Sequence, residues 1–141
     1  MLNELAISNL FMDEMIRHVI ACLPEEACGL IGGKQLKTNV IIPIENTLHS
    51  PVRFRMDELK LLEALNQLEK MRMDLIGTFH SHPKGPPYPS HTDIEELQML
   101  GLIHLICVPD SDSIKIERGQ WTLLGFQIDS QGYMQIPIKV G

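Results

Sequence analysis

Cysteine is scarce in this chain, three residues in 141, and Cys22, Cys28 and Cys107 form no Cys-x-x-Cys pair. An odd number at such spacing is a poor disulfide framework, so free and mostly buried thiols are expected. Positive charge is also short: 12 Lys plus Arg stand against 18 Asp plus Glu, a net charge of −6, with no basic run. That balance argues against nucleic acid or an anionic membrane as the main partner, and it disfavours an acidic substrate surface. Long apolar runs are missing too, none approaching the ~18 residues of a membrane span. Residues 1–8 lack a basic segment followed by an apolar one, so a cytoplasmic address is expected. No repeat or low-complexity tract is present, and the one proline-dense stretch, Pro83 to Pro89, is too short to join domains. A chain near ~150 residues buries about 68–70% of its unfolded surface, enough for a core without crosslinks, and residues 1–141 read as a single domain.

What is present alternates between helical and strand periods. From Ser8, a plausible cap, the apolar residues Phe11, Met12, Met15, Ile16, Val19, Ile20 and Leu23 follow helical spacing until Pro24. Ala27 to Gly32 and the β-branched run Asn39 to Ile44 read as neighbouring strands, with Gly32-Gly33 supplying the turn. Asp57 is positioned to cap a second helix ending near Met73, with Leu59, Leu62, Leu65, Leu68 and Met71 expected on its buried face. Leu75 to His82 reads as a buried strand halted by Pro83, and a short helix is expected from about Ser90 to Leu100. Four strands then follow, at Leu102–Val108, Ser113–Arg118, Trp121–Ile128 and Tyr133–Val140. This mixed order predicts an α/β fold, a mixed central sheet flanked by helices.

The chemistry concentrates at the end of the strand that begins at Leu75. On a strand, residues i and i+2 share a face, so His80 and His82 project together and could converge on one ion at about 2.0–2.1 Å. A seven-residue loop, Pro83 to Pro89 with four prolines, returns the chain stiffly toward Asp93, whose carboxylate would complete a His-His-Asp set. Three protein ligands leave the fourth tetrahedral position to water, the arrangement of a catalytic zinc site. Two bland readings stand beside this one. Histidines at a strand end are often rim polar residues, and Ser90-His91-Thr92-Asp93 also fits a helix capping pattern in which Ser90 caps and Asp93 bonds back.

His80-Ser81-His82-Pro83, the loop, and then Ser90-x-x-Asp93 resemble the signature of the JAMM (MPN-plus) metallopeptidases. Pro24-Glu25-Glu26-Ala27-Cys28-Gly29-Leu30-Ile31-Gly32-Gly33 is similar to the segment in which that family carries an upstream glutamate, and family spacing assigns the role to Glu26. The order of elements agrees over nearly the whole chain, which implies the family's α-β-α sandwich, similar to that of cytidine deaminases. Asn46, Arg53, Phe54 and Asp57 match positions that recur in the compact prokaryotic branch, whose members process ubiquitin-like sulfur-carrier proteins. Other metal hydrolase patterns fail. There is no HExxH, no HxE with PCxxC, too little length for a barrel hydrolase of ~250 residues, and Lys84 stands where the metallo-β-lactamase run needs an acid.

The resemblance implies zinc held by His80, His82 and Asp93, with Glu26 as general acid–base and the Ser90 hydroxyl donating to a tetrahedral oxyanion. It implies a ubiquitin-like or sulfur-carrier partner with a Gly-Gly tail, released from an amino acid or, alternatively, from protein lysines. A non-catalytic interaction scaffold is the third reading, disfavoured by the complete residue set. The segment Asn46 to Arg55 and the loop Lys84 to Ser90 are the expected groove walls, with Asn46, Arg53 and Phe54 as substrate-binding residues. Adjacent strand residues face opposite sides, so only one of Glu25 and Glu26 can face the metal. Cys28 is expected as a small buried residue and His91 as an exposed one. His18, His49 and His104 have no partner at metal spacing, and the oligomeric state is left open.

Overall fold

The computed structural model describes residues 4–98, 101–110 and 120–141. In chain order the elements are β1 (Leu5–Ile7), α1 (Asn9–Cys22), β2 (Cys28–Lys34), β3 (Lys37–Ile44), α2 (Glu58–Lys70), β4 (Asp74–Ser81) and α3 (His91–Glu96). They continue with β5 (Ile103–Pro109), β6 (Trp121–Asp129), β7 (Gly132–Ile136) and β8 (Ile138–Val140). The expected strand at 113–118 lies outside the described residues, as do residues 99 and 100 of the expected third helix. Among the described residues no helix is long and apolar enough to cross a membrane.

The strands form one mixed sheet in the order β7-β6-β5-β4-β2-β3-β1-β8. β2 lies antiparallel between β3 and β4, β4 and β5 are parallel, and β1 runs parallel to both β3 and β8. Only Pro137 separates β7 from β8, yet they occupy opposite edges, so the sheet must curl until its edges meet. The expected single strand at 133–140 is therefore two, because Pro137 cannot donate to a ladder. Its carbonyl instead accepts from the Leu5 N–H at 3.1 Å, which ties down a first strand that the sequence pattern did not reveal.

One face of the sheet holds α1. Ser8 caps this helix, its Oγ accepting from the Phe11 N–H at 3.3 Å, and Met15, Ile16 and Val19 pack on Ile31, Ile41, Phe79, Leu105 and Trp121 in a continuous apolar core. The other face carries two smaller clusters. Leu30 and Ile44 pack beneath Ala64 and Leu68 of α2, while Ile106, Val108, Phe126 and Ile128 pack with Leu97 just beyond α3.

Two expectations need correction. Gly32 and Gly33 are strand residues, and the turn falls at Gln35-Leu36, both at positive φ (51° and 61°). The glycines are required for close approach, since a Cβ on Gly33 would sit 1.9 Å from the Lys37 carbonyl oxygen. On α2, the row Leu59, Leu62, Leu65 is left 65%, 56% and 37% exposed, while Ala64 and Leu68 are buried. A strict i+3 row slips about 60° per step around a helix of 3.6 residues per turn, so it cannot stay on one face. The docking face follows i, i+3, i+7 through Leu61, Ala64 and Leu68.

Candidate metal centre

The antiparallel register of β2 and β4 sets Cys28 opposite His80 and brings the residues before β2 alongside the end of β4. The junction is laced: the Ala27 N–H donates to Ser81 Oγ at 2.8 Å and the Ser81 N–H to the Ala27 carbonyl at 3.0 Å. Side-chain alternation then places Glu26, Cys28, His80 and His82 toward one region. Donor atoms of Glu26, His80 and His82 lie within 4.8 Å of one another, and all three residues are buried.

His82 extends the ladder by one bond, its N–H donating to the Cys107 carbonyl at 2.9 Å, before Pro83 ends it. Gly85, at φ +72°, turns the loop, its N–H donating to the His82 carbonyl at 2.9 Å. This return carries the Pro86 carbonyl to 2.8 Å from His82 Nδ1. A neutral imidazole that donates through Nδ1 presents a lone pair at Nε2, the form a metal ligand needs.

Asp93 is the third residue of α3 and closes a capping box. Ser90 Oγ accepts from the Asp93 N–H at 3.0 Å, and the Ser90 N–H donates to Asp93 Oδ2 at 2.9 Å. The same Oδ2 lies 3.1 Å from His80 Nε2 and from His82 Nε2, which are 3.0 Å apart. One carboxylate oxygen thus both closes the cap and faces the two imidazoles, in an orientation that the cap sets. Tetrahedral ligands at 2.0–2.1 Å from an ion stand about 3.3 Å from each other, so the two imidazoles and the carboxylate fit a zinc-sized cation. The Ser90 hydroxyl accepts the cap bond and keeps its own proton to donate.

Burial shapes the electrostatics. It pushes Glu26 up to about 8, against the pull of His82 and with the push of Asp93. Burial also lowers His80. For His82 burial acts downward but is outweighed by the Asp93 and Pro86 hydrogen bonds, and the net shift is upward. Asp93 resists burial and stays well below the usual carboxylate range because both imidazoles and the Ser90 N–H stabilise its charge.

The remaining candidates separate clearly. Glu25 points away, 2.9 Å from His49 Nδ1 at the surface. Cys28 is buried, its Sγ 3.3 Å from the Ile44 carbonyl, and burial raises its thiol to about 12. His91 pairs with Glu95 in solvent, and His18 packs edge-on to Phe79. Asp57 caps α2, accepting from the Lys60 N–H at 2.9 Å. Arg53 is exposed, 3.9 Å from Glu96, whereas Phe54 lies with its ring 4.6 Å from that of His80. Asn46 is buried, its amide hydrogen-bonded to backbone groups. Sequence reasoning did not find the Pro86 carbonyl behind His82, nor the buried pair Thr78 Oγ1 and His104 Nδ1, 2.8 Å apart on β4 and β5. The polar alternation Thr78, His80 in an otherwise apolar strand was the available signal for the second.

A mixed sheet with helices on both faces, bearing two imidazoles, a capped aspartate and a buried glutamate at one strand end, defines the class of JAB-type domains. The family described as prokaryotic homologs of the JAB domain matches residues 10–123, and the chain belongs to that family. It is similar to a desampylase of Pyrococcus furiosus, 37% identical over 91 residues, 64% of this chain and 65% of that protein. It is also similar to a probable TtuB-protein conjugate cleaving protease of Thermus thermophilus, 38% identical over 86 residues, 60% of this chain and 57% of that protein. The match therefore spans less than two thirds of either relative. Among solved structures, a protein from Desulfitobacterium hafniense superposes with a TM-score of 0.83 at 29% identity, covering 97% of this chain and 92% of that one.

Proposed function

We propose that this chain is a zinc-dependent peptidase that hydrolyses the (iso)peptide bond after the C-terminal Gly-Gly of a ubiquitin-like sulfur-carrier protein. The observation that carries the reading is the convergence of His80 Nε2, His82 Nε2 and Asp93 Oδ2 at 3.0–3.1 Å beside the buried carboxylate of Glu26. His80, His82 and Asp93 would hold the ion. Zinc, when bound, supplies Lewis-acid polarisation of the scissile carbonyl and acidifies the attacking water. Glu26 takes that water's proton and delivers it to the leaving amine, a role that contributes ~10²–10⁴-fold. The Ser90 hydroxyl donates to the tetrahedral oxyanion, where one donor is worth on the order of 10²–10³ in rate. The Pro86 carbonyl holds His82 in the tautomer that presents Nε2. Arg53, exposed at the rim, is available to a carboxylate of the partner, and Phe54 backs His80.

The family resemblance favours release of an amino acid in sulfur metabolism. A second reading, detachment of ubiquitin-like modifiers from protein lysines, is favoured by the relative named for cleaving protein conjugates. The leaving group separates them. A linear carrier–cysteine fusion and a carrier–lysine conjugate are offered to the enzyme with and without a zinc chelator. Chelator-sensitive cleavage of one or both supports the peptidase, the preferred substrate decides between readings, and cleavage of neither by zinc-loaded protein refutes it.

A further inference from the structure

Asn46 lies two residues beyond β3, buried between the start of β2 and the segment 47–55. Its Nδ2 donates to the carbonyls of Glu26 and Arg53, each at 3.0 Å, and its Oδ1 accepts from the N–H groups of Leu48 and Arg55, each at 3.1 Å. A carboxamide has two donor hydrogens and two acceptor lone pairs, so this side chain has nothing left to offer a substrate. What it holds is the catalytic frame. Arg53 and Arg55 flank Phe54, whose ring stands 4.6 Å from that of His80. The Glu26 N–H goes to the Ser50 carbonyl at 2.9 Å, so both backbone polar groups of Glu26 are tied to this segment.

We infer that Asn46 is a positioning residue that sets Glu26 and Phe54 against the metal-ligand cluster through their backbones, and that it does not touch the substrate. The inference rests on the reading of Glu26 as the proton carrier. Its physical basis is the steep dependence of catalysis on placement, since a shift of about 1 Å can cost ~10²-fold in rate. Asn46→Asp keeps the shape and the accepting oxygen but turns two donated bonds into oxygen–oxygen repulsion. Asn46→Ser keeps one donor. Asn46→Ala leaves four backbone groups without their partner.

The test compares the three variants and Glu26→Gln with the wild-type, zinc-loaded chain. Zinc stoichiometry, kcat and KM on a linear fusion of a Gly-Gly-ended ubiquitin-like carrier to cysteine, and backbone amide exchange are measured. The expected result is retained zinc, a kcat lowered ~10–100-fold in Asn46→Asp and less in Asn46→Ser, and a KM within about threefold. The amides of Glu26, Leu48 and Arg55 should exchange faster while those of β4 keep their protection. A wild-type kcat in folded, zinc-loaded Asn46→Asp overturns the inference. Exchange rising equally in β4 and in the loop also overturns it, because that is general destabilisation. Should Asn46→Ala fail to fold, the Ser and Asp variants decide. Full activity of Glu26→Gln sinks the reading of the base itself, whereas an inactive Glu26→Gln beside a fully active Asn46→Asp sinks only the role of Asn46. If the fusion is not cut by wild type, the substrate reading fails, and the exchange pattern still decides whether Asn46 anchors Glu26.

Discussion

The two faces of the central sheet are built to different ends. Beneath α1, residues from β1 through β7 merge into one apolar cluster in which Phe79 and Leu105 are fully buried. On the opposite face the apolar residues split into two clusters, one under α2 and one around β5, β6 and Leu97. What divides them is β4 itself, which presents Thr78 and His80 on that side, with His104 beside Thr78 on β5. Buried polar groups cost free energy unless they are hydrogen-bonded. The first face is therefore an unbroken apolar core, whereas the second gives up part of its core to the buried polar cluster of His80, His82 and Asp93.

The largest expected effect lies on the polar face and is catalytic. Glu26→Gln should cut turnover by ~10²–10⁴-fold with zinc kept near one per chain, whereas Asp93→Ala should lose both. Metal analysis alongside kinetics checks this, and an active Glu26→Gln would break the assignment. Next comes the apolar face. Phe79→Ala should cost about 3–5 kcal/mol in urea denaturation through the cavity it leaves. Its strand neighbour His80, replaced by Leu, should cost the metal-free protein less than this, because Asp93 keeps its His82 and Ser90 contacts, while abolishing zinc binding. Equal losses for the two substitutions would erase the contrast between faces.

A smaller effect concerns His104. Burial, reinforced by His80, lowers this imidazole to about 4 in the folded chain, while the unfolded chain takes up its proton near 6.5. The unfolded state then binds more protons between those values, so stability present above pH 6.5 drains as pH falls toward 4. His104→Asn should flatten that slope by about 2–3 kcal/mol in metal-free protein, read from denaturation midpoints across the window. The smallest effect belongs to α2. Leu59→Gln and Leu62→Gln should change stability by no more than about 0.5 kcal/mol, because neither side chain is in the core. A loss of several kcal/mol would show that the helix docks on the other row of leucines.

α1 is legible because its cap and its 3.6-residue period are local, and so are the shared face of His80 and His82 and the Ser90–Asp93 capping box, each set within a few residues. The second helix is legible from its period, but of the expected row only Leu68 is buried, since a row of leucines looks apolar whichever row the sheet receives. The glycine pair suggests a turn, but close strand approach demands glycine for the same absence of a Cβ.

By itself the sequence determined the strand that leads to His80 and His82 and the capped helix that carries Asp93. Tertiary structure decided how they meet. It brought Glu26 to the end of β4 through a register between residues more than fifty positions apart, as in the Ala27 N–H to Ser81 Oγ bond. It set the Pro86 carbonyl behind His82, Phe54 beside His80, and Asn46 between Glu26 and the segment 47–55. The physical reason is that spacing within an element follows from backbone period, whereas contacts between elements depend on which strands pair and in what register.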